Sequence, residues 1–248
     1  MSLLKLPGVS AALLAVILLI VWQAVFMAAG ANAIASPAST LAYLAGHLPD
    51  LWVHIWATGQ AFLAALAIAI AGGLLIGLLT GLSATATETA EPLLMAANSI
   101  PKIALYPVVL LLFGIGLPAK VAFGAIHGII PVAVFTMNAC RGVPPVLLKT
   151  ATVLRLSPAD RIRSILLPSA LPAVLTGIRL GFSLTLIGTI LGEMFGSQSG
   201  LGYLLMTSIG LQNTDVIMAV TVLLIAFAAA VSTALLAWER RLRRDRGG

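Results

Sequence analysis

The stretch LRLSPADRIRSILLPSALPAVLTGIRLG, residues 154–181, gathers charge in a chain that is otherwise very apolar. It holds four arginines, one aspartate and three prolines, and long hydrophobic runs lie on both sides of it. Charged residues are costly inside a bilayer and collect in the loops between spans. The stretch therefore indicates a polar connecting segment, which leads into a membrane span at its own C-terminal end.

The composition supports a membrane protein. Of the 248 residues, 60% are hydrophobic and only 9% are charged, whereas soluble domains carry about 25% charged residues. A helix needs about 20 apolar residues to cross the hydrocarbon core. Five to seven spans with their loops would use the whole chain, so we expect an all-α, polytopic membrane protein without a separate soluble domain.

Six apolar runs divide the chain. We expect one transmembrane domain over residues 1–248, with spans near 10–31, 52–81, 93–114, 121–139, 172–192 and 216–238 and a polar loop over 140–171. The third run contains NSIPKIALYP, residues 98–107, whose two prolines predict a broken or kinked helix. The first run could instead be a signal peptide, but its length exceeds the usual apolar region of about 7–15 residues, which favours a retained helix.

Basic loop residues predict the orientation, because they stay on the cytoplasmic side. In the six-span arrangement only Lys120 falls on the far side, and eleven fall together: Lys5, Arg141, Lys149, Arg155, Arg161, Arg163, Arg240, Arg241, Arg243, Arg244 and Arg246. Both termini are therefore expected in the cytoplasm. The C-terminal ERRLRRDR is expected to be a topology anchor that touches anionic lipid, and no nucleic-acid partner is expected.

Residues that could carry metal, redox or nucleotide chemistry are scarce. The single cysteine, Cys140, excludes an internal disulfide, and His47, His54 and His127 lack the paired spacing of a zinc site. None of the four lysines stands in the Gly-Lys-Ser/Thr sequence of a phosphate-binding P-loop. We expect no catalytic, cofactor or metal site in this chain.

Two short helices are predicted in the polar loop. Residues 146–154 contain no glycine or proline, and Ser157 followed by Pro158 and Asp160 is a typical helix start, with Pro168 expected to end that helix. Apolar residues recur at helical spacing in this second helix, at Ile162, Ile165 and Leu166, with arginines at other positions. Periodicity alone leaves open whether this amphipathic helix lies on the lipid surface or against a partner.

This segment resembles the cytoplasmic EAA loop of the permease subunits of bacterial ABC importers, in which E-A-A, three residues, G, nine residues and I-x-L-P follow one another. The matching positions are Ala151, Ile165, Leu167 and Pro168. Residues 98–120, GEM at 192–194 and SGLGYL at 199–204 resemble the branch that imports nitrate, sulfonates, taurine, bicarbonate and vitamin precursors. The departures are Lys149 for the glutamate, Thr150 for the first alanine and Arg155 for the glycine.

The resemblance implies a bacterial cytoplasmic-membrane importer with several subunits. An extracytoplasmic solute-binding protein delivers the solute, two permease copies form the pathway as a homodimer or a heterodimer, and two ABC ATPases bind ATP and Mg²⁺. The EAA loop of such permeases forms a coupling helix on the ATPase. The implied docking residues here are Lys149, Thr150, Ala151, Arg155, Leu156, Ser157, Asp160, Arg161 and Arg163.

Polar groups inside the spans are the candidates for the solute pathway, because each is expensive in hydrocarbon unless it faces a cavity or partner. They are His127, Thr136, Asn138, Arg179, Ser183, Thr185, Thr189 and Glu193. Arg179 has no carboxylate within two turns along its own sequence, which predicts an attraction for an anionic solute; snorkelling to the membrane surface is the alternative. Arg179 and Glu193 lie about 21 Å apart along one helix and cannot pair.

Small residues at four-residue spacing predict close helix packing. They are Gly73, Gly77 and Gly81, Gly177 and Gly181, and Gly188 and Gly192. The packing could lie within one chain, which is favoured, or between two permease copies.

Two other functions remain as alternatives. A secondary transporter or channel would work without an ATPase, although the sequence shows no internal repeat and no intramembrane carboxylate chain. An intramembrane serine protease would have to use Ser199 and His127, but Ser199 falls in a loop and no third group accompanies the pair.

Overall fold

The computed structural model describes residues 7–244, and every regular element in this range is helical, which confirms the predicted all-α class. Lys5 and Arg246, which contribute to the predicted orientation, lie outside the described residues. The helices are α1 Pro7–Ala29, α2 Pro37–Gly81, α3 Ala84–Ser99, a 3-10 turn Lys102–Leu105, α4 Tyr106–Phe113, α5 Leu117–Arg141, α6 Pro145–Val153, α7 Pro158–Arg161, a π turn Ile162–Leu166, α8 Leu167–Gly196, α9 Leu201–Gly210 and α10 Thr214–Arg244.

Helix α5 lies at the centre of the bundle, packed between α2 and α8. Helix α2 runs parallel to α5, because Gly73 faces Val132 and Gly81 faces Cys140. A Cβ atom on Gly73 would lie 2.5 Å from Val132 Cβ, so only glycine allows this approach. The glycines of α8 face α5 in the same way, and all the predicted glycine sets therefore serve packing within this chain.

Five helices in the described range are long and apolar enough to cross a membrane. A sixth candidate span consists of α3 and the segment Lys102–Phe113, which are bent by 86° relative to one another. The bend lies at Pro101, inside the stretch whose prolines predict a break. Helix α2 is longer than the predicted second span and is kinked at His47, where φ is −118° and ψ is 18°, just before Pro49.

The second helix of the polar loop does not end at Pro168; that prediction was wrong. Helix α7, the π turn and α8 form one helical path from Pro158 to Gly196. The π turn explains this continuity, because the Leu167 N–H bonds back to the Ile162 carbonyl and the backbone widens immediately before the proline ring. Polar loop and span are therefore joined by helix rather than by a flexible elbow.

The polar segment lies at one end of the bundle, which we call the basic end. There α2 and α5 finish side by side, and a cavity of about 430 Å³ brings Gly81 and Cys140 together with Leu156 and Arg161. Arg141 also pairs with Glu91 of α3 across 2.9 Å at this end. The first turn of α5 and the connection between α8 and α9 lie at the opposite end.

Candidate functional site

Helix α6 begins at Pro145, which suits a first helical position because its missing N–H needs no partner there. It ends in a Schellman motif: the Leu156 N–H bonds to the Ala151 carbonyl at 3.0 Å, and the Arg155 N–H bonds to the Thr152 carbonyl at 3.1 Å. Arg155 adopts φ +51° in this motif. This conformation favours glycine, which explains why the resembling loops carry glycine at this position.

Helix α7 begins with a capping arrangement. Ser157 Oγ accepts the Asp160 N–H at 3.2 Å and donates to Asp160 Oδ2 at 2.6 Å. The serine satisfies a free backbone donor, and the carboxylate lies near the positive end of the helix. The predicted helix start at Ser157 is confirmed.

Helix α6 is exposed along most of its length, and Ala151 is the one buried residue among its described side chains. Ala151, one of the implied docking residues, is only 2% exposed, so its side chain is not available to a partner in this structure. The exposed surface instead carries three large apolar side chains, Val146 at 64% exposure, Val153 at 80% and Leu154 at 63%. Lys149 and Thr150 lie on the same exposed side.

Sequence analysis missed the apolar part of this face. Val146, Lys149, Thr150 and Val153 follow the i, i+3, i+4, i+7 spacing of one helix face, and all four are exposed. That spacing predicts an exposed face, whereas the EAA pattern points to Ala151. Arg155, Asp160, Arg161 and Arg163 extend the exposed surface beyond α6, while Leu156 is half-buried.

A second polar site lies at the opposite end of the bundle, around the fully buried Glu193. Glu193 Oε1 accepts from Lys120 Nζ at 3.2 Å, and Oε2 accepts from Thr58 Oγ1 at 2.8 Å and from the Gly202 N–H at 3.0 Å. Lys120 Nζ also donates to the Ser199 carbonyl at 3.2 Å. We call Thr58, Lys120, Glu193, Ser199 and Gly202 the Glu193 cluster.

Lys120 is not the loop residue that the sequence predicted. It lies in the first turn of α5 and is 3% exposed. Its side chain enters the bundle because Glu193 of α8 supplies the opposite charge, and a buried charge is tolerated only when it is paired and hydrogen-bonded. Sequence reasoning missed this pair because the two residues are 73 positions apart.

Two glycines of SGLGYL have a geometric reason in this cluster. Gly200 has φ +116°, and a Cβ atom there would collide with the Glu193 carboxylate. A Cβ atom on Gly202 would lie 2.7 Å from Glu193 Cβ. The motif therefore lets the start of α9 fold directly onto the carboxylate, which binds α2, α5, α8 and α9 together.

Most predicted pathway residues lie inside the bundle rather than on an open surface. Thr136, Thr185 and Thr189 are buried against glycines of neighbouring helices, and within the described chain their hydroxyls have no hydrogen-bond partner. His127 is also buried, with Nδ1 2.8 Å from the Phe123 carbonyl. Asn138 is exposed near the basic end, and a role in the pathway stays a prediction for all of them.

Arg179 has a carboxylate partner that its sequence neighbourhood does not reveal. Its Nη1 atom lies 3.6 Å from Glu239 Oε2, and the Thr176 hydroxyl donates to Glu239 Oε1 at 3.0 Å. No carboxylate lies within two turns of Arg179 in sequence, but α10 supplies one from 60 positions away, so Arg179 is not an unpaired cation. Ser183 lies one turn further along α8 and donates to the Arg179 carbonyl at 3.4 Å.

Comparison with known families gives one extended match. The profile described as binding-protein-dependent transport system inner membrane component matches residues 69–246. This range includes the basic-end segment and both charged members of the Glu193 cluster.

Individual relatives extend the similarity over most of the chain. The riboflavin transport system permease protein RibX of Chloroflexus aurantiacus is 29% identical over 246 residues, covering 94% of this chain and 91% of the relative. SsuC of Escherichia coli, a permease protein named for aliphatic sulfonates transport, is 30% identical over 189 residues, covering 75% and 72%. Among solved structures, a chain of the inward-facing methionine ABC transporter MetNI matches with a TM-score of 0.67 at 21% identity, covering 78% of this chain and 98% of that chain. The structural match shows a shared fold.

Proposed function

The chain belongs to the binding-protein-dependent transport system inner membrane component family, and from this premise we propose that it moves a small anionic or polar solute as the permease of an ABC importer. Members of the family form the translocation pathway and work with ATPase and binding-protein partners. The family match over residues 69–246 is the observation that carries the proposal. It also favours an ATP-driven importer over a secondary transporter.

The exposed surface at the basic end is the proposed docking site for the ATPase. Val153 and Leu154 would enter an apolar groove of the partner, while Lys149, Arg155 and the arginines of residues 161–163 would meet polar or acidic groups around it. An exposed apolar pair with a charged rim is the usual composition of a protein interface. Ala151 is buried behind this surface, and α6 contacts the π turn Ile162–Leu166.

The remaining assembly follows from the same proposal. A second permease copy, identical or related, completes the pathway, and ATP and Mg²⁺ are bound by the ATPases, since this chain has no P-loop lysine. The basic end faces the cytoplasm of a bacterial cell, and both termini lie on that side. Reporter fusions after Pro49 and Ser208 should then report outside, and fusions after Arg155 and Arg246 inside.

The solute class is proposed from two kinds of support. SsuC is named for aliphatic sulfonates, which are anions, and RibX for riboflavin, an uncharged polar molecule. A cation, Lys120, lines a cavity at the end of the bundle that the proposed orientation places outside. We therefore favour a small anion over an uncharged solute.

Affinity purification tests the docking proposal. The tagged permease, extracted from its own cells, should bring down a nucleotide-binding ATPase subunit. A double variant that combines Val153→Asp and Leu154→Asp should reduce the captured ATPase about tenfold or more. Leu211→Asp is a matched control, because Leu211 is 79% exposed at the opposite end of the bundle. Normal capture by the double variant would refute the docking surface, and a permease that transports without any ATPase would refute the proposed function.

A further inference from the structure

A polar cavity lies between α2, the first turn of α5 and the connection from α8 to α9. Its volume is about 410 Å³, which is within the range of pockets that hold small molecules, about 300–1,000 Å³. Gln60 contributes from α2, Lys120 from α5, and Ser197, Gln198 and Ser199 from the connection. Three separate elements therefore build its walls.

Lys120 is the one charged residue among those that line this cavity. Its ammonium donates to Glu193 Oε1 and to the Ser199 carbonyl, which uses two of its three hydrogens. Glu193 is fully buried and is not part of the lining. The ion pair is thus oriented with its positive member toward the cavity and its negative member toward the protein interior.

Two exposed amide side chains add further hydrogen-bonding groups to the lining. Gln60 is a polar residue in the middle of an apolar helix, and Gln198 belongs to the connection from α8 to α9; both side chains are exposed and line the cavity. The wall formed by the first turn of α5 adds the positive end of a 25-residue helix. The ammonium, the amide N–H groups and the helix end can all donate hydrogen bonds to a negatively charged ligand.

We propose that this cavity, the Gln60 cavity, binds the oxyanion group of the transported solute, a carboxylate, sulfonate or phosphate. The assignment rests on the proposed function, because the orientation given there places the cavity on the outer side, where a solute-binding protein delivers its cargo. Lys120 supplies the charge, and Gln60 and Gln198 supply directional hydrogen bonds. A phospholipid headgroup offers the same oxyanion chemistry, so the experiment must separate the two sources.

Ligand-observed NMR on the purified full-length permease in neutral detergent tests the binding directly. Methanesulfonate is the probe and dimethyl sulfone its uncharged counterpart, and saturation transfer to their methyl protons reports the bound fraction. We expect transfer to methanesulfonate only. Equal transfer to both compounds would overturn the proposal, because the site would then not recognise charge.

Variants assign the signal to the cavity. A double variant, Lys120→Met combined with Glu193→Gln, removes both buried charges together. Gln60→Leu and Gln198→Leu each remove one amide. Each of these three variants should weaken methanesulfonate binding about tenfold or more. The matched control is Arg141→Gln with Glu91→Gln, which removes an ion pair at the basic end and should leave binding unchanged. If the Lys120 and Glu193 pair proves necessary for folding, Gln60→Leu and Gln198→Leu decide the question. Unchanged methanesulfonate binding in both of these variants would overturn the proposal.

Two further arms separate the lipid source and the transport function. In nanodiscs, replacing phosphatidylcholine with phosphatidylglycerol should leave methanesulfonate binding intact; displacement by the anionic lipid would assign the cavity to headgroups and overturn the solute role. If the complete complex takes up solute with ATP but the permease does not bind methanesulfonate, the oxyanion-binding role of the Gln60 cavity is refuted and the proposed function stands. A complex that neither hydrolyses ATP nor transports would refute the proposed function and the solute assignment with it.

Discussion

Thr58 and Glu193 are joined by a 2.8 Å hydrogen bond across 135 positions of sequence, and the same threonine hydroxyl accepts the Leu201 N–H at 2.7 Å. The hydroxyl thus connects the buried carboxylate to the first backbone donor of α9. Removing the Thr58 hydroxyl would leave the Leu201 N–H without its acceptor and would take one hydrogen bond from the buried Glu193 carboxylate. Both losses are expensive inside a bundle.

Thr58→Val should therefore destabilise the permease, by about 1–3 kcal/mol for the unpaired buried groups. Valine keeps the shape of threonine, so packing should change little. Thr58→Ser retains the hydroxyl and serves as the control. Thermal unfolding in detergent measures the effect, and equal midpoints for the valine and serine variants would show that the bond contributes nothing.

A second prediction concerns Gly200. Gly200→Ala should prevent α9 from folding onto Glu193, because φ is +116° and the added methyl group would collide with the carboxylate. Gly210→Ala is the control, since a Cβ atom there meets nothing within 4 Å and φ is not positive. Protease susceptibility of the α8–α9 connection should rise in the first variant alone. A compact, protease-resistant Gly200→Ala protein would contradict the geometry.

Arg155 gives a prediction of the opposite sign. Arg155→Gly should stabilise the end of α6, because a residue other than glycine pays about 1–2 kcal/mol for the left-handed conformation. The unfolding midpoint should rise if the Schellman motif is maintained. Arg155→Ala, which keeps the strained backbone and removes the charge, separates the two contributions. ATPase capture reduced equally by both variants would show that the guanidinium itself contacts the partner.

The fold class and the spans could be predicted because they depend on composition and on runs of apolar residues. The Ser157 helix start was equally accessible, since a cap is made by residues three positions apart. Membership of the ABC importer permeases, predicted from the spacing of the polar loop, is confirmed by the family match. All these signals are local in sequence.

The errors share a physical cause, which is that tertiary partners are distant in sequence. Lys120 is a loop candidate until Glu193 is known to lie beside it, and Arg179 is an unpaired cation until α10 brings Glu239 to it. Pro168 is a helix end until a π turn makes room for its ring. Ala151 matches a motif, but only the packing of α6 shows that its methyl group faces inward.

The Arg179 and Glu239 pair allows a double-mutant cycle. Arg179→Gln alone should be destabilising because it leaves Glu239 buried near an uncharged neighbour, and adding Glu239→Gln should recover most of the loss, with a coupling of about 1 kcal/mol. Uptake in vesicles should follow stability, since the charge of Arg179 is already balanced. If uptake stays low in a double variant of normal stability, Arg179 acts on the solute as the sequence analysis expected.

The final prediction concerns the helical connection between the docking surface and the Glu193 cluster. Arg161 and Glu193 belong to one helical path, and 32 residues at about 1.5 Å each separate them by about 48 Å. A displacement of the docked segment would be carried along this path to the opposite end. A double variant that combines Leu166→Gly and Leu167→Gly should destabilise the helix next to the π turn, because each glycine costs about 1 kcal/mol relative to alanine in a helix.

The matched control is the double variant that combines Leu166→Ala and Leu167→Ala. It shortens the same two side chains, but alanine is a strong helix former. Both variants should capture the ATPase, because the exposed face of α6 is unchanged. The glycine variant should lose solute uptake per ATP hydrolysed, measured in vesicles, while the alanine variant retains it. Equal coupling in the two variants would show that movement reaches the pathway through other contacts of α6 and not along the helix from Pro158 to Gly196.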